Sequence, residues 1–142
     1  MLRAVLDSNV IVSGVISSKG APSSLLTAWR ERQWVLVICP ARLSEVQRVL
    51  SLPKITKAYG LTSDDIRGVI RLLKSRALVV PGNVTIARTA RDPEDDHVLA
   101  CAVEGYADYV VSGDQDLLSL DRSRSIPIVS PAAFAAILKA SR

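Results

Sequence analysis

Four carboxylates stand just after short apolar runs, or on the helices those runs lead into. Asp7 follows Leu2-Arg3-Ala4-Val5-Leu6, and Glu45 comes shortly after Trp34-Val35-Leu36-Val37-Ile38. Asp96 opens an otherwise apolar helical stretch, and Asp114 follows Tyr109-Val110-Val111-Ser112. In an open parallel α/β sheet the carboxyl ends of the strands share one edge, where ligand crevices lie. Acids scattered in sequence then converge in space, where they repel and raise one another's pKa unless a cation neutralises them. A bound divalent metal is the economical account.

Each acid also has a plainer reading. Asp92 suits an N-cap, Pro93 suits the first helical position, and Glu94 and Asp95 sit where the helix dipole favours negative charge. Asp7 at a strand end turns or caps the chain as Asp often does, with Asn9 two residues on. Glu45 alone is a solvated helix residue, and Asp114 a cap for a short helix with Asp116 in its first turn. Asp96 is harder to dismiss. Leu99, Ala100 and Val103 follow it at i+3, i+4 and i+7, so it shares the stripe that faces the core. A carboxylate there is costly unless it is paired, hydrogen-bonded or metal-bound.

The elements that must position these residues alternate. A strand over 2–6 leads through a Gly/Ser-rich loop, 13–24, into a helix over about 22–32. A strand over 34–38 leads to a helix from Pro40, a turn at 53–59, and a helix over about 62–75. A strand over 77–80, an irregular stretch 81–91, a helix over 92–104 and a strand over 109–112 come next. A short helix after Asp114, a strand over 126–129 and a helix over 131–140 close the chain. This alternation predicts one α/β domain over 1–142, three-layer α/β/α, with a central parallel sheet. The last helix, Pro131 to Leu138, suits the core or a twin subunit, and the core suits it better.

Composition narrows the classes. A chain of 142 residues builds a real core without metal or disulfide staples. No stretch approaches the roughly 20 apolar residues that span a bilayer, and the N-terminal run from Met1 to Asp7 meets a charge too soon for a signal peptide. Cys39 and Cys101 lack metal-ligand spacing and read as two reduced, packed thiols of a cytoplasmic protein. The net charge of +4 hides a polarity: residues 30–76 hold ten Arg or Lys against four acids, and residues 92–121 hold nine acids and neither Arg nor Lys. One basic and one acidic segment suit a polyanion on one surface and a cation on another, or two solvated faces of opposite sign.

The motifs Asp7-Ser8-Asn9-Val10-Ile11, Glu45 in its helix, Asp92 through Ala102, and Ser112-Gly113-Asp114-Gln115-Asp116-Leu117-Leu118 together resemble a PIN domain, over essentially the whole chain. The likeness is to the branch of toxins in toxin–antitoxin systems, akin to VapC. That resemblance implies a PIN-like fold and a Mg²⁺- or Mn²⁺-dependent endoribonuclease. The acids at Asp7, Glu45, Asp96 and Asp114 would be catalytic, with Asp7, Asp96, Asp114 and Asp116 around the metal. Asn9, Ser112 and Asp92 would support them, Ser112 standing where Thr is common. The implied partners are RNA, a cognate antitoxin and a second copy in a homodimer.

With His97 the sole histidine, a His-based mechanism has no partner, and the metal would activate water for in-line attack. Arg42 and Arg48 flank Glu45 and are candidates to hold a phosphate. Two rivals remain. One is a non-catalytic RNA- or protein-binding PIN module with a structural or metal-binding acid cluster. The other, an Asp7 phosphate acceptor as in haloacid-dehalogenase-like phosphatases or receiver domains, is weak: Asn9 stands where the first of these usually has a second Asp, and no lysine lies between Lys74 and Lys139.

Overall fold

The computed structural model describes residues 1–83, 93–119, 122–123 and 126–141; the side chains of 93–96, 116 and 122–123 lie outside that description. Strand β1 (Arg3–Leu6) is followed by α1 (Ser8–Ile16) and α2 (Ala21–Arg30). Strand β2 (Val35–Ile38) leads to α3 (Pro40–Leu50), α4 (Pro53–Tyr59) and α5 (Ser63–Arg76). Then come β3 (Leu78–Val79), α6 (Pro93–Glu104), β4 (Tyr109–Val111), α7 (Gln115–Leu118), β5 (Arg122–Ser123), β6 (Ile126–Val129) and α8 (Pro131–Ala140).

The sheet order is β3-β2-β1-β4-β6-β5, parallel throughout except for the edge pair β5–β6. From β1 the chain builds outward through β2 to β3, then returns to lay β4 against the other side of β1. The carboxyl ends of β1 and β4 therefore flank the point where strand order reverses, the usual place for a ligand crevice.

Strand side chains alternate between two apolar layers, as the pleat requires. Ala4, Leu6, Leu36, Ile38 and Val111 pack with α1, α2, α3, α5 and α8. Val5, Val37, Val110 and Ile128 pack with Val98, Leu99 and Ala102 of α6 and Leu117 of α7. The expected three-layer α/β/α arrangement follows. Phe134 of α8 is fully buried and meets Trp34 edge-on at 5.3 Å, so α8 belongs to the core. Thr62 opens α5 with a reciprocal capping box to Asp65.

Three expectations need correction, and the central parallel sheet gains one edge strand, β5. Helix α1 begins directly after β1, where an extended exit and a loop were expected; its Val10, Ile11, Val12, Val15 and Ile16 are poor helix formers, and burial against the core overrides their propensity. The stretch 53–59 is a helix, started by Pro53 and stopped by Gly60 at φ +63°, not a bare turn. The outermost strand, β5, is antiparallel. Cys39 and Cys101 are not two free thiols but a disulfide, spanning 62 residues with Cα atoms 6.1 Å apart. It joins the first residue before α3 to the middle of α6. Gly82, at φ +74°, lies over it, and a Cβ there would come within 2.9 Å of Cys39 Cβ.

Candidate active site

Asp7 and Ser112 are the first residues past the ends of β1 and β4, and the sheet's own hydrogen bonds fix both. The Asp7 N–H donates to Val111 O at 2.9 Å, and the Ser112 N–H donates to Val129 O at 3.0 Å. Ser112 is fully buried, and its hydroxyl donates to Asp7 Oδ2 at 2.9 Å. Ser112 Oγ in turn accepts the backbone N–H of Asp114 at 2.9 Å. One hydroxyl thus ties an acid near the N-terminus to the turn that carries a second acid.

Above them opens a crevice of about 350 Å³, lined by Asp7, Asn9, Val10, Ser13, Pro22, Gly113, Asp114 and Pro131. Asp7, Asn9 and Asp114 line it together, and Ser13 of α1 and Pro22 of α2 border it. Asp7 is only 7% exposed. Burial pushes its carboxyl pKa above the usual carboxylate range. The Ser112 hydroxyl, the Asn9 backbone N–H and the Arg42 charge pull it back, while Asp114 pushes it further up. Two oxygen-ligand acids that repel each other at a water-accessible edge suit a hard divalent cation, which would lift that repulsion.

Glu45 is elsewhere. It lies on α3 beyond the residues lining the crevice, and its two oxygens take Arg48 Nε at 3.1 Å and Nη2 at 2.8 Å. That fork holds the Glu45 pKa below its usual value. Asp96 lies in the first turn of α6 and Asp116 in α7, their side chains outside the described residues, as is all of Asp92. Among the described residues no three His, Cys, Asp or Glu side chains form a metal-binding group. His97 is exposed.

Arg42 stands inside, not on the phosphate-facing surface: it is 3% exposed, and its Nη1 donates to Ser8 Oγ at 3.3 Å. A signal for this was present. Val46 and Val49 follow Arg42 at i+4 and i+7, placing it beside the apolar stripe by the same spacing that singled out Asp96. Ser8 is also buried.

Among proteins of known family, residues 3–116 match the PIN domain model. The chain belongs to the PIN-domain family. An uncharacterized protein of Methanocaldococcus jannaschii, MJ1680, is 28% identical over 119 residues, which cover 84% of this chain and 75% of that protein. Among solved structures, a chain of VapBC2 from Rickettsia felis, bound to a DNA fragment from their promoter, superposes with a TM-score of 0.58 at 12% identity. A chain of FitAcB from Neisseria gonorrhoeae does so with a TM-score of 0.50 at 15% identity. Each superposition covers 91% of this chain and 98% of the other. At such identities the likeness is one of fold.

Proposed function

We propose that this PIN-domain protein is a metal-dependent endoribonuclease, acting in the cytoplasm as the toxin of a type II toxin–antitoxin system. The observation that carries the reading is the meeting of Asp7 and Asp114 in one crevice at the strand-order reversal, joined through Ser112. Family membership supports nuclease chemistry, and the fold likeness to chains of VapBC2 and FitAcB supports an antitoxin partner; a homodimer belongs to the same proposal.

In this reading Asp7 and Asp114 hold Mg²⁺ or Mn²⁺, with Asp96, Asp116 and Asp92 as further members from α6, α7 and the segment before α6. A divalent ion bound there would offset charge on the scissile phosphate and acidify a water. Ser112 holds the Asp7 carboxylate through Oδ2, to which its hydroxyl donates. Asn9 stands exposed on the first turn of α1, beside Asp7 in the crevice wall, to orient a phosphate or water. Glu45 takes part once RNA displaces Arg48, which then contacts phosphate.

The test is cleavage of structured and single-stranded RNAs by the purified protein with Mg²⁺ or Mn²⁺. Cleavage abolished both by EDTA and by Asp7→Asn is the expected result. Activity that survives Asp7→Asn would overturn the assignment and leave the acid cluster to the binding-module reading.

A further inference from the structure

Six cations of the basic segment share one surface. Arg67, Arg71 and Lys74 are exposed at i, i+4 and i+7 of α5, each one residue on from the buried Ile66, Ile70 and Leu73. With Gln47 of α3 they line a depression of about 460 Å³. Ser75 lines this depression and also a second, of about 380 Å³, to which Arg32 and Arg76 contribute. Arg76 Nη1 donates to Arg30 O at 3.3 Å, which sets the end of α5 against the end of α2. The exposed cations thus form a track, running about 14 Å along α5 from Arg67 to Arg76 and then across to Arg30 and Arg32. The acids on these stretches are Asp64, paired with Arg67, Asp65, held in the α5 capping box, and Glu31. Arg32 is held at φ +62°, a left-handed conformation that costs a residue with a Cβ free energy and that glycine would adopt without strain. A cation is displayed there despite that cost.

We propose that this track binds the phosphate backbone of RNA at a site separate from the acid crevice. None of its residues lines the crevice, which opens at the carboxyl edge of the sheet. Arg32 and Arg76 stand at the opposite edge, beside Val35 at the start of β2. Guanidinium groups match phosphate oxygens in pairs. The rings at this end, Trp29 and Trp34, are 5% and 1% exposed and offer no face to a base. Such contacts hold a strand without reading its sequence. A second copy is a poor occupant, since a two-fold contact centred on α5 would set these cations against themselves. The existence of a polyanion site rests on the track alone; RNA as its occupant, in place of an acidic protein segment, rests on the nuclease reading. RNA long enough to reach both places is gripped away from the bond that is cut. The track therefore raises affinity for long substrates and leaves the chemical step untouched.

Anisotropy of a fluorescein-labelled oligouridine, long enough to span the track, reads binding in EDTA, where no metal-dependent cleavage competes. The triple variant Arg67→Gln, Arg71→Gln, Lys74→Gln is expected to weaken binding about 10-fold or more. It should also lower the slope of log affinity against log salt by about two, three cations at about 0.7 each. Arg30→Gln with Arg32→Gln, at the other end, should act in the same direction. Urea midpoints of both variants should match the parent, because every altered side chain is exposed. Unchanged affinity and slope in both variants overturn the proposal. Polyglutamate that binds the parent as tightly as oligouridine, and is lost from the same variants, would give the surface to an acidic protein segment. A changed sedimentation coefficient without loss of RNA binding would give it to a second copy. Either result overturns the RNA assignment. In a protein that cleaves, the triple variant should raise KM for long RNA with kcat unchanged; a fall in kcat at constant KM overturns a site remote from the chemistry. A protein that binds RNA through the track yet cleaves none would sink the nuclease reading and leave the track standing.

Discussion

Ser112 Oγ lies 2.9 Å from Asp7 Oδ2, joining residues 105 positions apart in the chain across adjacent parallel strands. Removing that hydroxyl takes a donor from a buried carboxylate and an acceptor from the Asp114 N–H. Ser112→Ala should cost about 1–3 kcal/mol by urea unfolding and reduce cleavage about 10-fold to 100-fold. Ser112→Thr, which keeps the hydroxyl, should retain most of both. Equal damage from Ala and Thr would mean the site depends on the serine's size and not on its hydrogen bonds.

Asp7→Asn should separate stability from activity. Burial raises the native pKa of Asp7, so the folded state holds its proton more readily than the unfolded chain. Stability is therefore lost as pH rises through the native pKa, and the ionised Asp7 weighs against folding at neutral pH. The substitution should raise stability at pH 7 by about 1 kcal/mol. That gain should shrink on acidification and vanish below the ordinary value of 3.8, where both states carry the proton. Unfolding curves at several pH values check the trend, while cleavage falls about 100-fold or more.

The fork between Arg48 and Glu45 is exposed, at 62% and 30% for the two side chains. Such pairs contribute at most about 1 kcal/mol, so Arg48→Ala should leave the urea midpoint nearly unchanged. RNA affinity should fall steeply with salt. The slope of its logarithm against log salt should drop by about one in Arg48→Ala if that side chain moves to a phosphate. An unchanged slope would return Arg48 to a purely local role on α3.

Reduction should destabilise the fold. The Cys39–Cys101 bond spans 62 residues, and a loop of that length is worth about 4 kcal/mol in chain entropy. Urea unfolding with and without a phosphine reductant should show a lower midpoint in the reduced protein, reproduced without reductant by Cys101→Ala. Coincident curves would show that the bond adds nothing beyond the packing around it.

Much of the site was legible because strand ends and helix stripes are written in local patterns. Val5, Leu6, Val110 and Val111 announce their strands, and Asp7, Ser112 and Asp114 follow at once. Helix α1 was not legible, since its β-branched run has no helical signature apart from the core it fills. Nor was the pairing of Cys39 with Cys101, because no spacing rule joins residues on β2's exit and mid-α6. Arg42 was read as a surface cation by its type, although its place beside Val46 and Val49 pointed inward. The Glu45–Arg48 fork escaped for the opposite reason: two exposed charges at i and i+3 choose each other only in three dimensions.

Strand β1 occupies the middle of the sheet, yet its two neighbours come from residues 35–38 and 109–111. A chain emerging from the ribosome has β1 and Asp7 outside the exit tunnel long before β4 is made. The link from Asp7 through Ser112 to Asp114 forms only once β4 and the turn after it have followed. Asp7, at the end of the first strand, thus waits for the fourth of six before Asp114 can join it.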